Sequence, residues 1–315
     1  IRELCERRFN KTPDLSAILY VIGMRELGKH QEKFKNMDRF YDVVRSAMNK
    51  LGHTESNTKG DINFYNHLEN NNKFSNDVII LKPTAPTSKH FTLDRMGYAN
   101  TSELAYKEPK VNDDIEQMDW QGIIDLRNTK PNKWDDSILL KWRPAKKIKQ
   151  HILIIGQQPH DETVNGFGFG DHWKKLTMIV DYLFNEPIIV KLHPAMKIRG
   201  KVKDQIDRWI QRGIDVRIGY NSIHDFLPYT TCAIVDNSTA GIECLMHEVP
   251  VISYGWPEYH WATKKLQTLP QLDMLIHNPE EWNNPVYARQ FIEWYINHYL
   301  CTDINNTMRR LEELL

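Results

Sequence analysis

Short apolar runs alternate with amphipathic stretches throughout the second half of the chain. The apolar runs predict β-strands at 151–155, 187–190, 214–218, 232–235 and 249–252. Between them, apolar residues recur at three- and four-residue spacings, which predict helices over 173–184, 202–212, 223–227 and 240–247. Strands that alternate with helices in this way form a parallel sheet covered by helices on both faces. We therefore predict a parallel α/β domain in this half.

The first half of the chain is less regular. Apolar runs at 16–23 and 77–81 predict two strands, and an apolar face over 38–51 predicts a helix between them. Residues 53–76 are rich in Asn, Ser, Thr and Lys, a composition typical of a solvent-exposed excursion. Residues 84–106 carry few periodic signals, and a long irregular segment in a compact domain is often a binding loop.

Length and pattern together predict two domains. The chain has 315 residues, about twice the usual size of a domain. We place a first α/β domain at 1–147 and a second at 148–280, and we expect the helices of 281–315 to pack back on the first domain. Ligands of such sheets bind outside the carboxyl ends of the strands, so we expect a site in a cleft between the domains.

Charge and hydrophobicity exclude some classes of protein. Lys and Arg together number 41, as do Asp and Glu, so the formal net charge is zero. This balance argues against a nucleic-acid-binding protein that relies on a broad basic surface. No apolar run approaches the roughly 20 residues of a membrane-spanning helix, and the N-terminus lacks a signal-peptide pattern. We therefore expect a cytoplasmic protein without a transmembrane segment, and peripheral contact with a membrane stays open.

The cysteines do not form a metal or disulfide pattern. Cys5, Cys232, Cys244 and Cys301 are scattered and include no CxxC pair. Cys232 and Cys244 lie in apolar strand and helix contexts, so we expect buried thiols in a reducing compartment.

Polar residues follow two of the predicted strands, where N–H groups at a helix start can hold a phosphate. Lys191-Leu192-His193-Pro194 ends one strand, and a histidine there can donate to a phosphate oxygen. Ser238 and Thr239 start a predicted helix, in which Gly241 allows close approach of a ligand. The alternatives are an ordinary turn histidine and a plain helix N-cap, which stabilises by about 1 kcal/mol.

The loop after the first strand of the second domain holds the candidate catalytic group. Asp161 follows Gln157 and His160 in this loop, which we expect to face the cleft. A carboxylate there could act as a nucleophile or a base toward an anomeric carbon. Exposed loop acids are also ordinary, and this alternative is stronger for the adjacent Glu162 than for Asp161.

Aromatic residues follow the strand at 249–252. The segment 253–261 begins with Ser253, Tyr254 and Gly255 and contains two tyrosines and two tryptophans. Aromatic rings near a strand end suit the apolar face of a base or a sugar. The alternative is a packed loop, and the sequence favours neither.

Four motifs in this order resemble those of one family, the capsule-polysaccharide Kdo transferases of bacteria. The motifs are Gln157 to Asp161 (Q-x-x-x-D), Lys191 to Pro194 (K-x-H-P), Ser238-Thr239 with Gly241-Ile242-Glu243, and Tyr254 to Tyr259 (Y-G-x-P-x-Y). The resemblance covers roughly residues 150–265. It implies a GT-B-type fold, in which two Rossmann-like domains face each other across a cleft, and it implies a CMP-linked sugar donor.

The resemblance also implies roles for individual residues. Asp161 would be the nucleophile of a retaining double displacement, with Gln157 and His160 in the same catalytic group. The residues implied at the donor are Lys191, His193, Pro194, Ser238, Thr239, Gly241, Glu243, Tyr254 and Gly255, with Glu243 near the ribose or base. Tyr98 and Ser102 lie in a candidate acceptor loop. Ile242 and residues 260–263 depart from the family pattern, so the donor sugar can differ from Kdo.

We therefore expect a glycosyltransferase that moves a sugar from a nucleotide-sugar donor to a hydroxyl of a glycan acceptor. We expect no cofactor and no metal, because helix-start N–H groups and His193 would hold the phosphate and no DxD-like pair accompanies the motifs. Two alternatives stay open. One is a nucleotide-sugar epimerase of the same fold, and the other is a non-catalytic glycan-binding module.

Overall fold

The structure is a computed structural model of the chain. It describes residues 19–21, 37–56, 60–66, 77–111, 118–133, 148–158, 161, 164, 171–194, 196–218 and 222–315. The chain divides into two compact units. The first unit comprises 1–84, 89–98 and 295–315, and the second unit comprises 85–88 and 99–294.

The first unit contains a five-stranded sheet. Its strands are β1 (Leu19–Val21), β2 (Glu55–Ser56), β3 (Ile62–Asn66), β4 (Val78–Pro83) and β5 (Phe91–Asp94). Their order across the sheet is β2-β1-β3-β4-β5, and neighbours are parallel except β4 and β5, which are antiparallel. The strands predicted at 16–23 and 77–81 are confirmed as β1 and β4.

Helices are present in both units. The described α-helices are α1 (Asp38–Lys50), α2 (Trp120–Asn128), α3 (His172–Tyr182), α4 (Lys201–Gln211), α5 (Ala240–Met246), α6 (Gln271–His277), α7 (Pro285–Trp294) and α8 (Ile304–Leu314). A π-helical turn at Tyr295–Tyr299 follows α7. Short 3₁₀ helices lie at Ala99–Thr101, Glu103–Ala105, Ile223–Asp225, Leu227–Tyr229, His260–Ala262 and Pro279–Glu281. The long helices predicted from periodicity are confirmed, within a few residues at their ends.

Helices α1 and α8 pack together in the core of the first unit. Phe40 and Val44 of α1 are buried, and α8 brings Leu311 and Leu314 to the same apolar cluster as the sheet. Full burial of a side chain of this size contributes about 1.5–3 kcal/mol. The expectation that the terminal helices pack on the first domain is confirmed for α8.

Strand β3 lies within the stretch that we predicted to be a solvent-exposed excursion, and that prediction is wrong. Ile62 and Phe64 are buried, and so is Asn63 between them. The side-chain amide of Asn63 donates to the backbone oxygens of Gly60 (3.1 Å) and Asp77 (3.3 Å), and to Asp77 Oδ2 (3.1 Å). Because these bonds replace those to water, a polar residue can occupy a buried strand.

Strand β5 lies within 84–106, which we predicted to be irregular. All four of its residues are buried. The carboxylate of Asp94 accepts from the backbone N–H groups of Met96 (2.7 Å) and Gly97 (3.0 Å) and from the Tyr299 hydroxyl (3.2 Å). Tyr299 is distant from Asp94 in sequence. The local pattern therefore does not reveal that Asp94, the last residue of β5, is buried.

The second unit contains a six-stranded sheet. Its strands are β6 (His151–Ile155), β7 (Ile188–Leu192), β8 (Asp215–Ile218), β9 (Thr230–Val235), β10 (Val251–Ser253) and β11 (Lys264–Lys265). They are all parallel, in the order β11-β10-β9-β6-β7-β8. Counted from β6, this is the strand order of a Rossmann fold. The five strands predicted in this half are confirmed.

Helices cover both faces of the second sheet. Ile154, Val190 and Ile234 lie on the face that packs against α3, α4 and α6. The opposite face is covered by α5, which packs on β9 and β10 and is flanked by α2 and α7. Because both faces are covered, β6 is buried along its whole length, which explains its nearly continuous apolar run.

Within the second unit, three aromatic side chains of the segment after β10 bind the backbone of residues 104–105. Trp256 Nε1 and His260 Nε2 donate to the backbone oxygen of Ala105 (3.2 and 3.1 Å), and Trp261 Nε1 donates to that of Leu104 (2.7 Å). The three side chains therefore contribute to the packing of this loop, and the binding role of the aromatic segment stays a prediction. The division into units falls at residue 99, whereas the pattern placed the domain boundary at 147/148.

Two further features bear on the sequence predictions. Cys232, Cys244 and Cys301 are buried free thiols, as predicted, and Cys5 lies outside the described residues. Burial raises the pKa of Cys232 to about 12. Among the helices that the structure describes, none has the length and hydrophobicity to cross a membrane.

We predict that Asn63→Ala destabilises the first unit. The substitution leaves the oxygens of Gly60 and Asp77 without their buried donor, so the free energy of unfolding should fall by about 1–3 kcal/mol. Chemical denaturation followed by circular dichroism measures this change. Lys50→Ala, at an exposed helix end, is the matched control and should change stability by less than about 0.5 kcal/mol. Equal stability of the two variants would contradict the prediction.

Candidate active site

The strand order of the second sheet reverses between β6 and β9. Strands β7 and β8 extend the sheet on one side, and β10 and β11 extend it on the other. The loops that leave the carboxyl ends of β6 and β9 therefore run to opposite faces, and ligands of open α/β sheets bind in the crevice between such loops. Gln157 lies in the loop after β6, and Ser238 and Thr239 lie in the loop after β9.

Gln157 joins the two loops at the crevice. Its side-chain Oε1 accepts from the backbone N–H of Asn237 (2.8 Å), and its own backbone N–H donates to His172 Nε2 (2.9 Å). Gln157 is buried. Its predicted catalytic role stays a prediction, and its position shows a structural role in holding the loop after β6 to the loop after β9.

His172, at the start of α3, is a site residue that the sequence analysis missed. Its Nδ1 lies 2.8 Å from Asp236 Oδ2, and both side chains are buried, at 0% and 1% exposure. The ring of Tyr254 stacks on His172 with centroids 6.1 Å apart and an interplanar angle of 18°. The available signal was weak, since His172 follows the N-cap Asp171 and is outside all four motifs.

Gly255 lies against the loop after β9. A Cβ atom there would be 2.6 Å from Asn237 Oδ1, 2.8 Å from the backbone carbon of Asp236 and closer still to Asp236 Oδ1. Asn237 Oδ1 also accepts from the backbone N–H of Trp256 (2.6 Å). Lys265 Nζ donates to the backbone oxygens of Tyr254 (3.2 Å) and Gly255. Gly255 is therefore required by close packing of the loops after β9 and β10.

Gly241 makes room for the Tyr259 ring. A Cβ atom at Gly241 would lie 2.5 Å from Tyr259 Cζ, and the buried Tyr259 hydroxyl donates to the backbone oxygen of Ser238. Ser238 Oγ accepts from the backbone N–H of Ala240 (3.3 Å), which is the bond of a helix start. Ser238 and Thr239 are half-buried at the beginning of α5, where the sequence predicted a helix start.

Lys191 and His193, two residues apart along an extended segment, share one side of β7. Burial lowers the pKa of Lys191, and the nearby Glu243 carboxylate opposes that change. Glu243 Oε1 also lies 3.5 Å from His224 Nε2. The Glu243 carboxylate of α5 therefore acts electrostatically on Lys191 of β7.

His193 and Asp161 come from different loops and interact. Burial lowers the pKa of His193 to about 4, the charges of Lys133 and Lys191 add to this effect, and the Asp161 carboxylate opposes it. At pH 7 His193 is therefore neutral, so it can donate one N–H to a phosphate but brings no positive charge. Pro194 follows it and is half-buried.

Asp161 is half-buried in a turn. Its backbone N–H donates to the backbone oxygen of Gln158 (3.0 Å), and its backbone oxygen accepts from the N–H of Val164 (3.0 Å). These bonds hold Asp161 in the loop that starts at Gln157. The third member of the predicted catalytic group, His160, lies outside the described residues.

The predicted acceptor residues are both buried. Lys82 Nζ lies 5.0 Å from the ring centroid of Tyr98 in the first unit. In the second unit, Ser102 Oγ donates to the backbone oxygen of Ala99 (2.7 Å) and accepts from the N–H of Ala105 (3.3 Å). Both side chains thus contribute to packing and helix capping, and their acceptor role stays a prediction.

A cavity of about 480 Å³ opens beside Tyr254 at the carboxyl ends of β10 and β11. Small-molecule sites commonly have volumes of about 300–1,000 Å³. Its lining combines apolar side chains with two lysines: Lys175, Met178, Ile179, Tyr254, Lys265, Leu266, Gln267, Thr268 and Leu269. Over the described ranges, no group of three or more His, Cys, Asp and Glu side chains is placed to hold a metal ion.

Residues 106–270, more than half of the chain, match the family described as "Capsule polysaccharide biosynthesis protein". The chain belongs to this family. The matched range contains the loops after β6, β7, β9 and β10, which carry the four motifs. The recognition of a capsule-polysaccharide family from those motifs is therefore confirmed.

Two solved structures of KpsC from Thermosulfurimonas dismutans are similar to the chain. The one titled "beta Kdo 2,7 transferase" is 16% identical, with a TM-score of 0.50, and the match covers 94% of this chain and 99% of that chain. The one titled "beta Kdo 2,4 transferase" is 14% identical, with a TM-score of 0.53 and coverage of 88% and 89%. No curated protein matches the chain. The GT-B-type fold is confirmed, and family and fold support the predicted enzyme class, a glycosyltransferase.

We predict that Gly255→Ala destabilises the second unit. The added methyl group meets backbone as well as side-chain atoms of the loop after β9, so the loops must separate at a cost of about 1–3 kcal/mol. Gly156→Ala is the matched control, because the nearest atom to its Cβ would be Leu192 Cδ2 at 3.4 Å. Differential scanning calorimetry should show a lower melting temperature for Gly255→Ala than for Gly156→Ala. Equal melting temperatures would show that the loops are not closely packed.

Proposed function

We propose that the chain is a capsule-polysaccharide glycosyltransferase that transfers a sugar from a CMP-linked donor to a hydroxyl of a glycan, with retention and without a metal ion. The observation that carries the proposal is the interaction of Asp161 with His193 at the carboxyl edge of a sheet with Rossmann strand order. A candidate nucleophile and a candidate phosphate ligand thus lie within electrostatic range of each other, and the other motifs are at the same edge.

The donor would be held from several loops. Ser238 and Thr239 offer hydroxyl groups at the start of α5, His193 offers one N–H, and Lys191 lies on the same side of β7. Charge-assisted and neutral hydrogen bonds of this kind bind a phosphate without a metal ion. Glu243, which acts electrostatically on Lys191, would contact the ribose or base. The Kdo transferases named in the two similar structures support an acidic sugar as the transferred group.

Asp161 would act as the nucleophile. In the first step its carboxylate oxygen bonds to the anomeric carbon, and the bond from that carbon to the CMP phosphate oxygen breaks, so CMP leaves with the electron pair. In the second step the acceptor hydroxyl displaces the carboxylate from the anomeric carbon and loses its proton to a base. Two displacements at one carbon retain its configuration.

Ligand binding and transfer together test this function. In a thermal-shift panel of CMP, UDP, GDP and dTDP, CMP should raise the melting temperature most, because a ligand that binds the folded state stabilises it. With CMP-Kdo and glycan oligosaccharides, we expect acceptor-dependent release of CMP at the same rate with and without EDTA. Mass spectrometry of the glycan should show one added sugar.

Other outcomes identify the alternatives. Conversion of the donor to an isomer without an acceptor would identify an epimerase, and glycan binding without nucleotide affinity would identify a binding module. Loss of transfer in EDTA with recovery in manganese would contradict the metal-independent mechanism.

We predict that Asp161→Asn retains nucleotide binding and loses transfer. The amide keeps the size of the side chain but is a poor nucleophile, so kcat should fall by at least about a thousandfold while the CMP dissociation constant stays within about threefold. Isothermal titration calorimetry and a CMP-release assay measure the two quantities. Asp207→Asn, on an exposed face of α4, is the control and should leave both unchanged. Full turnover of Asp161→Asn would exclude Asp161 as the nucleophile.

A further inference from the structure

Three hydrogen bonds form a closed ring between the loop after β6, the start of α3 and the loop after β9. Gln157 N–H donates to His172 Nε2 (2.9 Å), His172 Nδ1 bonds to Asp236 Oδ2 (2.8 Å), and Asn237 N–H donates to Gln157 Oε1 (2.8 Å). The covalent bond between Asp236 and Asn237 closes the ring. All four residues are buried, so water does not compete for these bonds.

The closed ring of hydrogen bonds selects one tautomer of His172. A backbone N–H can only donate, so His172 Nε2 must accept from Gln157 and carries no proton. The proton of the neutral imidazole is therefore on Nδ1, from which it donates to the Asp236 carboxylate. A carboxylate that fixes the tautomer and orientation of a histidine is a common means of positioning an imidazole.

The buried Asp236 carboxylate depends on the hydrogen bond from His172 Nδ1. Its Oδ1 has no hydrogen-bond partner within the part of the chain that the structure describes, and the Gly255 backbone packs against it. His172 therefore supplies the charge-assisted hydrogen bond to Oδ2 of a carboxylate that is 1% exposed. A buried carboxylate that loses such a partner is destabilising, so the ring is resistant to local rearrangement.

We propose that His172, oriented by Asp236, is a positioning residue that fixes the backbone at Gln157 and thereby the placement of Asp161. The link to Asp161 is short. Asp161 N–H bonds to the oxygen of Gln158, so the turn that carries the nucleophile begins at the residue after Gln157. A misplacement of about 1 Å at a reacting group can cost about a hundredfold in rate. The proposal rests on the proposed function for its effect on catalysis and on the hydrogen-bond ring for its effect on the loop.

Two amide variants of His172 separate its bond to Asp236 from its bond to Gln157. In His172→Asn, the side-chain NH₂ occupies the place of Nδ1 and keeps the bond to Asp236, but the N–H of Gln157 loses its acceptor. In His172→Gln, the side-chain oxygen reaches the place of Nε2 and accepts from Gln157 again, whereas the bond to Asp236 is lost. His277→Asn, at an exposed position of α6, is the control for the substitution itself.

Kinetics and hydrogen exchange test the proposal independently. We expect His172→Asn to lower kcat by about 10- to 100-fold with a donor KM within about threefold of wild type, and His172→Gln to recover kcat to within about tenfold. In exchange followed by mass spectrometry, peptides covering 152–158 should lose protection of one amide in His172→Asn and regain it in His172→Gln. His277→Asn should leave all three quantities unchanged.

The two readouts distinguish failure of this inference from failure of the proposed function. Wild-type exchange at 152–158 in His172→Asn would overturn the positioning role whether or not the protein transfers a sugar. If His172→Asn and His172→Gln had the same kcat, and the loss of kcat in each matched its loss of thermal stability, His172 would likewise be a structural residue only. Absence of transfer by the wild-type protein, with the expected exchange pattern, would overturn the proposed function and leave the loop anchor in place.

Discussion

The reversal of strand order between β6 and β9 is the constraint on which the candidate site depends. Two adjacent parallel strands send their loops to opposite faces of the sheet, and the backbone groups in those loops no longer have strand partners. Gln157, His172 and Asp236 supply the missing bonds by joining the loops to each other. The two loops that border the crevice are thus joined by the hydrogen bonds of buried polar side chains.

The four motifs contain residues of two kinds. Gly241 and Gly255 leave space for Tyr259 and for the loop after β9, and a methyl group at either position would overlap neighbouring atoms. Lys191, His193 and Asp161 instead present polar groups at the edge of the sheet. A motif of a binding site therefore includes packing residues, because hydrogen-bonding groups act together only where the backbone segments that carry them approach closely.

The second sheet could be predicted from the sequence and the first could be predicted only in part. Strands β6, β7, β9 and β10 are short, mostly buried apolar runs, so composition alone marks them. β3 and β5 contain buried polar residues, Asn63 and Asp94, whose partners are supplied by other segments. The pattern of apolar and polar positions predicts which residues are buried only where the polar residues are exposed to solvent.

Local pattern and motif order were enough to establish the parallel α/β architecture, the family and the positions of the four site loops, because strand and helix periods depend on neighbours in sequence. The contacts that make the site depended on folding in three dimensions. His172 and Asp236 are 64 residues apart and had no shared signal, yet they meet at the crevice because the strands before them are adjacent in the sheet. Their bond forms because two buried polar groups must find partners once both loops leave water.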